Sequence, residues 1–155
     1  MTDKPDLAIL LVAANRCLDD RLVAAVRQTG ARDMRTAFGF VIRAVAAEEP
    51  TVGRLAEMLG VSRQAASKVA DEMVGRGYLL RRADPADRRR TRLRLSAKGR
   101  RVRERAAAES EAIEAELRAA AGERAVAGLR RALLAFVERE GALEEVLALR
   151  SRAPL

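Results

Sequence analysis

Apolar residues recur at three- and four-residue spacing from the start of the chain. Leu7, Leu10, Leu11, Ala14, Leu18, Leu22 and Val26 predict a long amphipathic helix over 6–29, with Gly30 as its C-cap candidate. A second helix is predicted over 33–47, with Asp33 as N-cap candidate and Met34, Phe38, Val41, Ile42 and Val45 on its apolar face. Residues 52–59 read as a short third helix, Gly60 and Val61 as a turn, and Ser62 as the cap of a fourth helix from 63 to about 75. The period then changes from helical to alternating. Residues 78–82 predict one strand and 91–95 another, joined by the charged, turn-rich loop 83–90 that contains Asp84-Pro85. Ser96 caps a fifth helix that runs to about residue 121, and Gly122 breaks it. A sixth helix carries Val126, Leu129, Leu133, Phe136, Val137, Leu143 and Leu147 on one stripe. None of the four prolines falls inside a predicted helix, where it would be costly. The fold class expected is mainly α, with one β-hairpin.

Within this pattern, Val52–Met73 (VGRLAEMLGVSRQAASKVADEM) fits a helix-turn-helix. Ala56 is small where two helices cross, and Gly60 stands where the turn requires a left-handed backbone. Leu55, Leu59, Val61, Ala66 and Val69 fall at positions expected to be buried. An ordinary helical hairpin is the alternative. The adjoining hairpin, or wing, favours DNA binding. In that geometry the second helix enters the major groove and its N-terminal residues meet base edges. Ser62, Arg63, Gln64, Ser67 and Lys68 lie on that end. Arginine pairs bidentately with guanine, glutamine with adenine, and serine with either. Lys68 reads as a phosphate contact, and Arg76 as a backbone contact or a solvated side chain.

Charge sharpens the picture. Residues 81–105 hold twelve Arg or Lys against three acids, +9 in a chain whose total is +8 over 155 residues. Of the 30 cations, 27 are Arg, a bias that coding composition alone can raise, but such a bias does not gather the surplus in one segment. A basic footprint beside a helix-turn-helix is the electrostatic signature of nucleic-acid binding. Other classes recede. Aromatics are 3% of the chain, too few for single-strand stacking platforms. No histidine is present, which removes Ser-His-Asp and Cys-His chemistry and the usual His-bearing metal sites. Cys17, alone, forms no internal disulfide or multi-cysteine zinc site. No metal, cofactor or enzymatic activity is expected. With no signal-peptide pattern and no apolar run near 18 residues, the expected location is the cytoplasm, with no membrane partner.

The stretch Thr51–Val102 resembles the MarR (multiple antibiotic resistance regulator) family of winged-helix transcription factors. The carrying motifs are LAEMLGVSRQAASKVADEMVGRGYLLRR and, more specifically, DPADRRRTRLRLSAKGR, where Asp87, Arg88 and Arg89 lead into Leu93-Arg94-Leu95-Ser96. The six-helix layout extends the likeness over nearly the whole chain. The resemblance implies a single domain over 1–155, with a winged helix-turn-helix lobe over 33–99 and a helical dimerisation lobe formed by 6–30 and 100–150. It implies that Arg89 enters the minor groove, that Asp87 pairs with it and orients the wing, and that Arg88 and Arg90 contact flanking phosphates. It also implies a homodimer on a pseudo-palindromic double-stranded operator, more often a repressor than an activator. The apolar stripes of 6–29 and 122–150, which one small lobe would struggle to cover, agree with an interface.

Family members bind small amphipathic or phenolic effectors where the helical and DNA-binding lobes meet. The corresponding candidates are Arg16, Met34, Arg35, Phe38, Ile42 and Arg43, with core packing or surface salt bridges as the alternative for each. Some relatives sense peroxides through a first-helix cysteine held near tyrosines of the second helix. Cys17 lies in the first helix, but the sole tyrosine, Tyr78, stands at the start of the wing, so a buried and inert Cys17 is expected. Three further readings remain beside the effector-released regulator: a constitutive or architectural DNA-binding protein without effector, a thiol-based redox regulator using Cys17, and a protein-interaction module.

Overall fold

The computed structural model describes residues 5–87 and 89–141. Six helices and one hairpin follow in the order α1 (Leu7–Arg27), α2 (Thr36–Glu48), α3 (Val52–Leu59), α4 (Arg63–Gly75), β1 (Leu79–Ala83), β2 (Thr91–Leu95), α5 (Ala97–Ala121) and α6 (Glu123–Arg139). Arg88, Leu143 and Leu147, and the end of the sixth-helix stripe, lie outside the described residues.

Local chemistry accounts for most boundaries. Asp6 Oδ1 accepts the Ile9 N–H at 2.8 Å and so caps α1. Thr51 and Ser62 cap α3 and α4 in the same way, and Ser96 caps α5 through the Gly99 N–H at 3.0 Å. At the end of α3, Val61 N–H bonds Ala56 O and Gly60 N–H bonds Glu57 O, with Gly60 at φ +62°. This is the Schellman arrangement, which closes the helix by a left-handed residue. The end of α4 repeats it with Tyr78 N–H on Met73 O and Gly77 at φ +76°.

Two caps differ from expectation. Asp33 does not cap α2: the helix starts at Thr36, and its N-cap, Arg35, gives no side-chain cap. The Asp33 carboxylate has stronger partners across the fold, Tyr78 and Arg76. Helix α1 ends at Arg27, before Gly30, because Thr29 and Gly30 N–H bonds tighten back onto Val26 and Arg27.

The hairpin pairs antiparallel with Leu79 opposite Leu95, Arg81 opposite Leu93 and Ala83 opposite Thr91. Thr51 bridges Arg92, and Leu93 N–H bonds Pro50 O at 2.9 Å, so the chain before α3 is tied to β2. One core joins the helix-turn-helix to the hairpin. Phe38, Val41 and Val45 of α2, Leu55 of α3, Ala66, Ala70 and Met73 of α4, and Tyr78, Leu79, Leu93 and Val102 are all buried in it. Gly99 is required here: a Cβ would lie 2.3 Å from the Tyr78 carbonyl oxygen. Val61, expected to be buried, is 36% exposed, because it follows the left-handed Gly60 onto the surface.

Helices α1 and α5 pack together and are clamped by Arg21, which donates to Glu109 at 2.7 Å and Glu116 at 2.5 Å. The N-terminal half of α1 extends beyond that contact. Leu7, Ile9, Leu10, Val12 and Leu18 are exposed there, and so are Leu129, Leu133, Leu134 and Phe136 of α6. Among the described residues no helix is long and apolar enough to cross a membrane.

Candidate nucleic-acid interface

Helix α4 turns Ala66, Ala70 and Met73 into the core. Helical geometry places Gln64 and Lys68 on the opposite face and Ser67 at its edge, while Arg63, three residues before Ala66, is exposed at the first turn of the helix. Arg63, Gln64 and Lys68 are exposed, and their side chains have no hydrogen-bond or ion-pair partner among the described residues. Ser62 is already committed: its Oγ accepts the Ala65 N–H at 3.2 Å. Ser67 Oγ donates to Asp71 Oδ2 at 3.3 Å, and Arg81 of β1 donates to the other oxygen of Asp71 at 2.6 Å. Arg81 is the main reason the Asp71 carboxyl sits below its ordinary pKa. The hairpin thus neutralises an acid one turn beyond Ser67, a contact the linear sequence did not reveal.

The wing is held from inside by Asp84. Its carboxylate is buried and accepts the Ala86 N–H at 3.0 Å and Arg92 Nε at 2.6 Å, and these bonds lower its pKa in that order. Asp84 N–H returns to Arg90 O at 2.8 Å and closes the loop. Asp87 is placed differently from the family expectation. Its Oδ1 accepts the backbone N–H of Arg89 at 3.0 Å, an Asx turn, and its side-chain ion pair is with Arg90 at 3.4 Å. Arg89's guanidinium is left exposed at the tip, without a carboxylate partner among the described residues. Arg88 lies outside them.

The basic segment is accordingly not uniform. Arg81, Arg92, Arg94 and Arg105 are paired with Asp71, Asp84, Glu49 and Glu109. Lys98 donates to Arg76 O, and Arg100 to Leu95 O. Arg82, Arg89, Arg101 and Arg103 carry no salt bridge among the described residues. Arg76, expected at the backbone of DNA or in solvent, is instead part of the protein's own network, at 2.8 Å from both Glu72 and Asp33.

A cavity of about 410 Å³ opens between α1, α2 and α5. Met34, Arg35, Ile42 and Arg43 line it, as the candidate set anticipated. Phe38 does not: it is buried in the core with its ring 6.0 Å from Tyr78. Arg16 is exposed on α1 and is not in the lining either. Leu22, Val26, Val102 and Arg103 complete walls that were not anticipated, although the first two stand on the α1 apolar stripe. Cys17, expected to be buried, is exposed, because it lies on the part of α1 beyond the α5 contact. Tyr78 is buried and hydrogen-bonded to Asp33, so it is not a partner for a thiol on α1.

Helix-turn-helix, antiparallel hairpin and the packing between them define a winged helix-turn-helix protein. The MarR family model matches residues 40–90, from the middle of α2 to the wing tip. Over that stretch the chain is similar to the MarR family, and its fold is the winged helix-turn-helix. Solved structures share the fold over most of the chain. RV1404 from Mycobacterium tuberculosis is 23% identical with a TM-score of 0.70, covering 89% of this chain and 97% of its own. FabT from Streptococcus pneumoniae, solved in complex with DNA, is 20% identical with a TM-score of 0.70, covering 88% and 95%. A mutant of MepR from S. aureus, bound to an oligodeoxyribonucleotide, is 15% identical with a TM-score of 0.60, covering 88% and 99%. The search of curated proteins finds no match.

Proposed function

We propose that this chain is a sequence-specific regulator of transcription that binds double-stranded DNA as a homodimer and represses until a small effector releases it. The observation that carries the reading is the exposed N-terminal half of α4. Gln64 and Lys68 face outward with Ser67 at their edge and Arg63 at the first turn, beside a wing whose tip presents Arg89 with no ion pair among the described residues. Helix and wing span the two grooves in the usual division, base edges for the helix and minor groove for the arginine. Asp87 supports Arg89 by fixing its backbone, not by pairing with its guanidinium.

In this reading residues 33–99 form the DNA-binding lobe. The exposed leucines of α1 and α6 cover each other across a twofold axis, which brings two α4 helices to a pseudo-palindromic operator. The cavity between α1, α2 and α5 holds the effector. Its walls are apolar, and its charged groups are Arg35, Arg43 and Arg103 against Asp19, which favours an amphipathic anion. The exposure of Cys17 alone does not favour the redox alternative, since the buried Tyr78 offers it no activating partner.

The test is fluorescence anisotropy on the intergenic duplex beside the chain's own gene, with excess nonspecific competitor and a salt titration. Wild type should bind in the presence of competitor. Arg89→Ala should lose about 1–3 kcal/mol, the range of a good specific contact. Binding abolished by competitor, with only a steep salt slope left, would point to an architectural protein.

A further inference from the structure

Ser67 and Asp71 stand one turn apart on α4, and Arg81 of β1 reaches the same carboxylate from the hairpin. The two Asp71 oxygens are divided between them. Ser67 Oγ lies 3.3 Å from Oδ2, and Arg81 Nη2 donates to Oδ1 at 2.6 Å. Asp71 is ionised, held below its ordinary pKa by Arg81, and an ionised carboxylate only accepts. The Ser67 hydroxyl therefore donates, and its single hydrogen is spent on Asp71. A serine inside a helix can instead return that hydrogen to the carbonyl four residues back, but here Asp71 takes it. What Ser67 Oγ offers outward is lone pairs alone. Ser62 is arranged the opposite way: its Oγ accepts the Ala65 N–H, so its hydrogen stays free. Arg81 also offsets the charge of Asp71, which would otherwise repel phosphates beside the helix proposed to read bases. The Arg81 and Asp71 side chains are 36% and 61% exposed, so the core does not depend on either.

We propose that Asp71 is a positioning residue that fixes Ser67 as a hydrogen-bond acceptor, so that Ser67 selects the exocyclic amino group of adenine or cytosine in the major groove and rejects guanine and thymine at that place. Adenine N6 and cytosine N4 are the donors on that edge, whereas guanine O6 and N7 and thymine O4 only accept. A serine hydroxyl free to turn pairs with either kind. The proposal rests on the DNA-regulator reading and narrows it at one base pair.

The experiment uses the full chain in binding selection from a random duplex library, with wild type and Ser67→Ala compared. The base pair whose preference Ser67→Ala erases is the one Ser67 reads. The enriched duplex is then altered at that pair alone. Either the amino group is deleted, with purine for adenine or 2-pyrimidinone for cytosine, or the purine N7 is replaced by C–H. Wild type should bind about three- to tenfold more weakly without the amino group, the worth of one hydrogen bond, and change less than about twofold without N7. Ser67→Ala should be indifferent to both changes, and Ser67→Thr, which keeps the hydroxyl, should keep the amino-group dependence. Asp71→Ala, which frees the hydroxyl, should lose most of that dependence. Arg81→Gln should bind more weakly overall but keep it, whereas an Asp71 that only braced the wing would make these two variants behave alike. The proposal is overturned if Ser67→Ala changes no position, if wild type is indifferent to the amino group, if Asp71→Ala keeps the full dependence, or if Arg81→Gln loses it. If wild type enriches no sequence, the regulator reading itself falls and takes the proposal with it; an enriched sequence with any of the other failures leaves that reading standing.

Discussion

Replacing Tyr78 by Phe removes a single oxygen from the junction between the wing and the helical corner. Tyr78 is fully buried, and its hydroxyl donates to Asp33 Oδ1 at 2.6 Å. Lys98 Nζ stands 4.0 Å over its ring. The Phe variant keeps the ring, its packing on Phe38 and the Lys98 contact. A hydrogen bond to a charged group contributes about 1.5–3 kcal/mol. The Asp33 side chain is 34% exposed and retains Arg76, which places the loss near the lower end, about 1.5 kcal/mol. For a chain of this size that is a fall in Tm of about 3–6 °C at fixed protein concentration. The same contact has a spectroscopic readout, because the chain has one tyrosine and no tryptophan. Burial first, and then the Asp33 bond, push the phenol above its ordinary value near about 10. Stability is therefore complete below that pH and falls as pH rises past it, since the unfolded phenol ionises first. Phenolate absorbance should appear well above pH 10 in wild type, and earlier in Asp33→Asn. A Phe variant within about 0.3 kcal/mol of wild type, together with a phenol titrating near 10 in the folded protein, would refute the reasoning.

Gly99→Ala should destabilise by about 2 kcal/mol in urea denaturation, because the new methyl meets the Tyr78 backbone at 2.3 Å and outweighs the helix-propensity gain of about 1 kcal/mol; equal stability would show that β1 gives way freely. Tyr78 first and Arg76 second hold the Asp33 carboxyl down to about 2, so its stabilisation is present above about pH 4 and lost as pH falls toward 2. Discounted for exposure, this amounts to about 1 kcal/mol, measured as the difference between wild type and Asp33→Asn across that window. Leu133→Glu places a charge on the exposed α6 leucine face and should shift the sedimentation coefficient of the proposed dimer to that of a monomer; a coefficient equal to that of wild type would refute an interface at this face.

The elements that announced themselves did so through local physics. The period change at residue 78, the Ser62 and Ser96 caps and the left-handed Gly60 are decided by a few neighbours, and α3, α4 and β2 start and end where those signals stand. Asp33 reads as a cap because its natural local partner is a nearby N–H, but a phenol 45 residues away takes it. The family resemblance implies Asp87 as the partner of the Arg89 guanidinium, whereas the tight wing loop brings the Arg89 backbone and the Arg90 side chain to it. Phe38 and Met34 belong to one apolar stripe, yet Phe38 points into the core, whereas Met34, also largely buried, lines the cavity.

By itself the sequence determined where helices, turns and wing lie and where charge concentrates, because periodicity, capping and local charge are properties of neighbouring residues. Tertiary structure alone decided which charges remain available. Of the arginines between 81 and 105, several are consumed by Asp71, Asp84, Glu49 and Glu109, residues up to 45 positions away, while Arg89 at the tip has no ion pair among the described residues. It also decided that Arg81 of the hairpin reaches Asp71 of α4, because pairing across a fold depends on which surfaces pack together, and no spacing along the chain encodes that directly.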